Sequence, residues 1–129
     1  MGVESRIIGK KGEVLAERHL KKVGLTVIKR NFKTNMGEID LICEDGEQIV
    51  FVEVKNYSSR NFYHPSFSID KKKRQCMINA AKQYIFKNNL FSKNARFDVV
   101  AIYRDEKQKT TKIEHFKSAF DVEVLYDEY

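Results

Sequence analysis

The sequence predicts an α/β fold, a mixed sheet flanked by helices, in the order α-β-β-β-α-β-β. Three observations carry that expectation. Small and apolar residues recur at helical spacing over residues 7–23 and 70–87. Residues 25–33, 38–43, 48–55 and 96–103 form runs of the alternating or β-branched and aromatic kind that strands need. Between the second and third of these runs lies Asp45-Gly46, a dipeptide that favours a tight hairpin turn.

Each element can be justified in turn. From about Ile7 to Val23, the residues Gly9, Gly12, Ala16, Leu20 and Val23 fall on one narrow stripe at ~100° per residue. Gly24 is placed to end that helix. Leu25 to Lys33 reads as a strand, followed by the hairpin of Glu38–Cys43 and Gln48–Lys55. Residues 56–67 read as a polar and aromatic loop around Pro65. Ser68 or Asp70 can cap a second helix running to about Lys87, with Met77, Ala81, Tyr84 and Ile85 inward. Arg96 to Tyr103 is a strand, with Lys112 to Phe116 pairing against it.

A chain of 129 residues has the length of one domain, here spanning 1–129. No run of ~18 apolar residues exists, so no membrane partner is expected. The first residues lack the apolar stretch of a secretion signal. Cys43 and Cys76 show no paired-cysteine spacing, and a reducing cytoplasm is the expected setting.

The net charge of +6 is unevenly laid out. Residues 1–36 carry +6, residues 37–54 carry −6 with no lysine or arginine, residues 55–96 carry +9, and residues 97–129 carry −3. An acidic block between two basic ones suits a polyanion held around a cation site.

The hairpin concentrates that acidic block. With Asp45-Gly46 as the turn, Ile42 faces Ile49, Asp40 faces Phe51 and Glu38 faces Glu53. Alternation then puts Glu38, Asp40, Glu53 and Lys55 on one face. Ile39, Leu41, Cys43, Val50, Val52 and Val54 take the other, a core face. Two carboxylates ~5 Å apart repel by ~3 kcal/mol at an effective dielectric of 20, so such a cluster needs a compensating cation. Asp40 and Glu53 are diagonal neighbours in this register and can converge on one ion. Hard oxygen ligands of this type suit Mg²⁺ or Mn²⁺. Glu13 lies on the flank of the first helix between Ala16 and Leu20, where it can reach the same pocket, while Glu38 sits at the hairpin end and can turn to solvent.

These residues resemble the PD-(D/E)XK nuclease superfamily, with Asp40 ending one strand and Glu53-Val54-Lys55 on the next. They are closer still to the small bacterial YraN family, which looks related to Holliday junction resolvases. The likeness runs through Gly9-x-x-Gly12-Glu13-x-x-Ala16, Arg30-Asn31, Gly37-Glu38-Ile39-Asp40-Leu41-Ile42, Val50–Lys55, Lys73, Ala80-Ala81, Arg96–Ala101 and Ala119-Phe120. Ile39 stands where the superfamily name has proline. Asn56 follows Lys55, with Arg60 a little downstream where relatives often carry a basic residue.

The resemblance implies a restriction-endonuclease-like αβββαβ core and a divalent-metal-dependent endonuclease acting on branched or structured DNA. In that reading Asp40 and Glu53 bind Mg²⁺ or Mn²⁺, with the Val54 carbonyl as a third ligand. Glu13 completes the metal shell, and Lys55 orients water and neutralises phosphate charge. A symmetric homodimer is expected, since a junction cutter needs two sites. The basic run Lys71-Lys72-Lys73-Arg74 opens the second helix and is suited to phosphates, with the resemblance pointing Lys73 at the site. Tyr57 and Arg60 belong to a loop suited to gripping an unpaired strand. Arg30 and Asn31 either contact phosphate or brace the hairpin. Asp98, between Phe97 and Val99, reads as a structural acid paired with a lysine or arginine, and His115 as an ordinary strand residue. The alternative function is a nucleic-acid-binding module that keeps the fold without cutting, and a further one is an assembly protein whose acidic hairpin is structural only.

Overall fold

A computed structural model describes residues 2–58 and 69–120. Its elements are α1 (Gly2–Lys22), β1 (Thr26–Thr34), β2 (Gly37–Asp45), β3 (Gln48–Ser58), α2 (Lys71–Lys87), β4 (Ala95–Asp105) and β5 (Thr110–Phe120). The strands form one mixed sheet in the order β1-β2-β3-β4-β5. Only β3 and β4 run parallel, joined through α2, and the other neighbours are antiparallel. This five-stranded mixed sheet between two helices is the α/β class and restriction-endonuclease-like core expected from the sequence. Among the described residues, no helix is long and apolar enough to cross a membrane.

The two faces of the sheet carry two cores. On one, Ala16 and Leu20 of α1 pack on Leu41, Cys43, Val50, Val52, Val100 and Ile102. On the other, Met77, Ala81 and Ile85 of α2 pack on Ile39, Ile42, Phe51 and Phe97, with Tyr84 partly buried at the edge. Side chains that alternate along each strand feed both cores, which is why β3 and β4 are apolar at nearly every position.

Several boundaries and contacts differ from the sequence reading. Helix α1 begins at Gly2 rather than near Ile7. Val23 is not on its buried stripe, because the helix ends at Lys22 and Val23 is left half exposed before Gly24 turns the chain. Gly12, not Gly9, makes the close approach: a Cβ at Gly12 would run into the Asn56 amide, whereas one at Gly9 would meet nothing. Strand β3 continues to Ser58, so residues 56–58 are strand rather than loop. The remainder of that segment, including Arg60, lies outside the described residues. Of the two candidate caps, Asp70 caps α2, its Oδ1 accepting the Lys73 N–H at 2.8 Å.

The hairpin register is shifted by two residues from the sequence estimate. Ile42 faces Phe51, Leu41 faces Val52, and Asp45 faces Gln48. The turn is therefore Gly46-Glu47, with Gly46 taking the positive φ of +63° that a glycine accepts without strain. A shift of two leaves most residues on their expected faces, because the side-chain period is two. Ile39 is the exception. It joins Ile42 on the α2 side instead of Leu41 on the α1 side. Two residues three apart on one face require a break in alternation, and the break falls at Asp40.

One buried polar network braces the far side of the sheet. Asp98 is fully buried. It accepts Arg96 Nε at 3.0 Å, His115 Nε2 lies 2.7 Å away, and the Ser118 N–H donates to it at 3.0 Å. Arg96 Nη1 reaches on to Asp45 and Gln48 at 2.8 and 2.9 Å, tying β4 to the hairpin. The β4–β5 register slips between Phe97 and Val99, and Ser118 has φ +51°, so the Asp98 carboxylate takes up an amide that the irregular ladder leaves over. This is the structural role expected of Asp98. His115 does more than expected of an ordinary strand residue. Burial by itself raises the Asp98 pKa, but hydrogen bonds from His115, Arg96 and Ser118 outweigh it and hold the carboxyl below its usual value.

Removing this acid leaves Arg96 Nε and the Ser118 N–H without their buried acceptor. Asp98→Ala is expected to lower stability by ~3–5 kcal/mol, read by urea denaturation at neutral pH. Because the folded pKa is depressed, the contribution is complete above the ordinary value of 3.8 and is lost as the pH falls through the folded one. An Asp98→Ala protein as stable as the parent would contradict this account.

Candidate active site

Strands β2 and β3 part company at Asp40. Their ladder runs from Asp45–Gln48 to Leu41–Val52 and stops there. The next pair in that register is Asp40 and Glu53, directly opposite rather than diagonal. The Asp40 side chain, not a backbone carbonyl, satisfies β3 at this point: its Oδ2 accepts the Val54 N–H at 2.8 Å. On the other flank, Arg30–Leu41 and Phe32–Ile39 are paired, while Asn31 between them has φ +51°. Asparagine is one of the few residues other than glycine that tolerates this region. Asn31, Asp40 and Glu53 thus mark a line across three strands where regular pairing gives way and polar side chains replace it.

Glu53 is the most constrained member. It is 5% exposed, yet it carries a carboxylate. Burial, then the charge of Asp40 and a hydrogen bond with it, push its pKa up to about 8, while Lys73 and Lys55 pull the other way. Lys73 Nζ lies 3.5 Å and Lys55 Nζ 3.8 Å from Glu53 Oε2. The Asp70 cap fixes the turn of α2 that aims Lys73 rather than Lys72 at Glu53, settling a choice that spacing left open. Lys71, Lys72 and Arg74 project to solvent from the same turn, which holds no acidic residue.

Glu13 of α1 sits on the other side of Asp40. Burial and the charge of Asp40 raise its pKa, Glu38 adds to this, and a hydrogen bond from the Asn31 amide and the charge of Lys10 oppose it. Glu38 itself is exposed. Glu13 shares the electrostatic field of the pair without joining it. Among the described residues, no three carboxylate, imidazole or thiol groups meet at a common metal-ligating point. Two carboxylates suffice for an ion such as Mg²⁺, which keeps most of its coordination as water. The Asp40–Glu53 pair therefore fits a hard divalent cation, with Glu13 placed beyond it.

Arg30 is engaged by Glu17, with Nε 2.6 Å from Oε1, in a bidentate pair that fastens β1 to α1. This pairing holds the Glu17 carboxyl down at about 2. Arg30 and Asn31 thus both tie β1 to α1, a contact distinct from the phosphate and hairpin-bracing roles expected of them. Tyr57 stacks on Tyr103 with ring centres 5.3 Å apart, and burial raises its pKa. Asn56, pressed against Gly12, buries its Oδ1 without a hydrogen-bond partner. Sequence reasoning gave it no role beyond its place after Lys55.

Known proteins place the chain in a family. A profile described as "Uncharacterised protein family UPF0102" matches residues 12–102, a span that holds Glu13, Asp40, Glu53, Lys55 and Lys73. The UPF0102 protein TTE1452 of Caldanaerobacter subterraneus subsp. tengcongensis is 40% identical over 119 residues, covering 92% of this chain and 98% of its own. That of Persephonella marina is 39% identical over 119 residues, 92% of this chain and 97% of its own. That of Sulfurihydrogenibium sp. is 42% identical over 115 residues, 89% of this chain and 95% of its own.

The Glu53 environment has a measurable consequence without divalent ions. A raised folded pKa favours the protonated form, so its contribution to stability is complete below 4.5 and is lost as the pH rises through about 8. The melting temperature of the metal-free protein is expected to fall across that window. Glu53→Gln should flatten the profile and leave the variant more stable than the parent at the alkaline end. Equal slopes in the two proteins would contradict this.

Proposed function

Taking as premise that the chain belongs to the uncharacterised protein family UPF0102, which is the YraN family, we propose that it is a divalent-metal-dependent endonuclease. Its substrate is nucleic acid, foremost branched or structured DNA, and its cofactor is Mg²⁺ or Mn²⁺. One observation carries this reading: the Asp40–Glu53 pair, with Glu53 buried, set where β2 and β3 separate, is an acidic pocket that its two facing lysines compensate only in part.

The chain's own groups divide the work. Asp40 and Glu53 would hold the ion, which when bound supplies a polarised phosphate and a more acidic water. Lys55, a third exposed at its side chain, reaches from Glu53 toward solvent, where a phosphate would arrive. Its ammonium neutralises charge that builds on the phosphate and orients the attacking water. Glu13, held by Asn31, would orient water on the α1 side of the pair. Lys73 shields Glu53 from below, while Lys71, Lys72 and Arg74 offer charge to the backbone of the strand being cut. Tyr57, near the end of β3, would meet the substrate, and Arg60 would join it by its place in the sequence. A symmetric dimer would present two such sites to a junction. A reducing cytoplasm suits the two free cysteines, of which Cys43 has its thiol pushed up to about 12 by burial and is inert.

A second reading keeps the fold and the nucleic-acid contacts without cutting. It draws on the separation of Glu13 from the Asp40–Glu53 pair.

The two readings part on one assay. A labelled four-way junction, matched duplex and single strand are incubated with Mg²⁺, Mn²⁺ or EDTA. Cleavage is expected with either ion and not with EDTA, falling by at least ~100-fold in Asp40→Ala and in Lys55→Ala. No cleavage of any substrate, with salt-sensitive binding intact in both variants, would replace the enzyme with the binding module.

A further inference from the structure

Away from the acidic site, the structure has a second concave surface. It is a groove of about 570 Å³ between the edge strand β1 and the exposed side of α2. Lys33 lines it from the strand, and Lys82 and Lys87 line it from the helix. Asn79 and Gln83 add amide donors and acceptors, and no carboxylate lines it among the described residues. Phe86 stands at its rim with 69% of its surface exposed, the largest exposure among the large apolar side chains described. Its ring meets Phe91 edge to face, with centres 5.9 Å apart, yet the pair stays largely open to solvent, on a helix whose inward face is already filled. Three ammonium groups around an exposed ring and amides match the chemistry of a single nucleic-acid strand, which presents phosphates at regular intervals and flat bases between them.

The groove shares its helix with the acidic site, although Phe86 lies ~140° round α2 from Lys73. Lys73, which touches Glu53, and Phe86 lie on the same helix, ~20 Å apart along its axis. That span is about six nucleotide steps at the rise of one B-form strand. Lys72, Gln75, Asn79, Lys82 and Phe86 follow one another at steps of three and four residues, so they form a continuous side of α2 that runs to the groove from the first turn, beside Lys73 rather than from it.

We propose that the α2–β1 groove is a binding subsite for a single strand of nucleic acid, with a base stacked on Phe86 and phosphates held by Lys33, Lys82 and Lys87. The proposal rests on the nucleic-acid reading above and adds to it a substrate feature: an unpaired arm leaving the acidic site along α2. The acidic site meets the phosphate that reacts, whereas the groove holds the strand some way from it and makes no contact with Asp40 or Glu53.

The test needs neither metal nor cleavage. The chain contains no tryptophan, so Phe86→Trp introduces a sole indole at the groove. In EDTA, a labelled oligothymidine of ~12 nucleotides, an oligouridine of the same length and a matched duplex are titrated against the parent, Phe86→Trp and Phe86→Ala. The expected result is quenching of the indole by the single strands and weaker quenching by the duplex. Oligothymidine affinity should fall by ~10-fold in Phe86→Ala and be kept in Phe86→Trp. Replacing Lys33, Lys82 and Lys87 together by Gln should lower the slope of log affinity against log salt by ~2. The oligouridine arm shows whether the subsite prefers RNA or DNA, and either preference supports it.

No quenching, with oligothymidine affinity unchanged in Phe86→Ala and in the triple variant, would overturn the proposal. So would loss of a dimer in Phe86→Ala by sedimentation with strand binding unchanged, which would make the groove an interface between copies. Phe86, Lys33 and Lys87 are exposed and Lys82 is half-buried, so circular dichroism checks that each variant folds. Failure here is separable from failure of the enzyme reading. A cutting protein with no quenching loses only the groove, and a quenching protein that does not cut loses only the nuclease.

Discussion

The arrangement turns on one hydrogen bond, from the Val54 N–H to the Asp40 carboxylate. In an unbroken hairpin that amide would find a carbonyl across the ladder. Here a side chain takes the carbonyl's place, and the ladder ends one residue earlier, at Leu41–Val52. Three things follow. Asp40 is held at the sheet rather than swinging into solvent, and it stands opposite Glu53. Alternation along β2 is broken, which returns Ile39 to the α2 core. A buried amide would be left without an acceptor were Asp40 lost, so structure and charge depend on the same carboxylate.

That anchoring concentrates charge in a place that cannot easily tolerate it. Glu53 is nearly buried, faces Asp40, and has two lysines within 4 Å. The lysines offset the repulsion only in part, as the upward displacement of its pKa shows. Contrast Asp98, equally buried but supplied with an arginine, a histidine and an amide, whose carboxyl is held below its ordinary value. One buried acid is satisfied and braces the sheet; the other is under-compensated and suited to a cation. The difference lies in the donors around each acid, not in the depth of burial.

Most of the architecture was legible because period and punctuation agree along the chain. The element order, the opposed core faces and the co-location of Asp40, Glu53 and Lys55 all follow from alternation and from the Asp-Gly turn. The two-residue error in register was harmless to the faces, since parity survives it. It did change Asp40 and Glu53 from diagonal neighbours to opposed ones. The misplacement of Ile39 has a different origin, because a period-two rule presumes an unbroken ladder. An asparagine at position 31, inside an otherwise β-forming run, was the available sign that pairing fails there. His115 looks like an ordinary strand residue in the sequence because its partner Asp98 lies on a different strand, and sequence distance hides such a pair. Phe86 gave no signal by itself: only the packed structure shows that α2 fills its core without that ring.

The central claim is that the Asp40–Glu53 pair is built for a divalent cation, and proton counting tests it most directly. Mn²⁺ is titrated into the protein near pH 7 by calorimetry, in two buffers of different ionisation enthalpy. Glu53, with its pKa near 8, is mostly protonated under those conditions and has to lose that proton to bind metal. The account predicts one ion bound with release of close to one proton, and no such release in Glu53→Gln. Binding without proton release, or no binding at all, would contradict it.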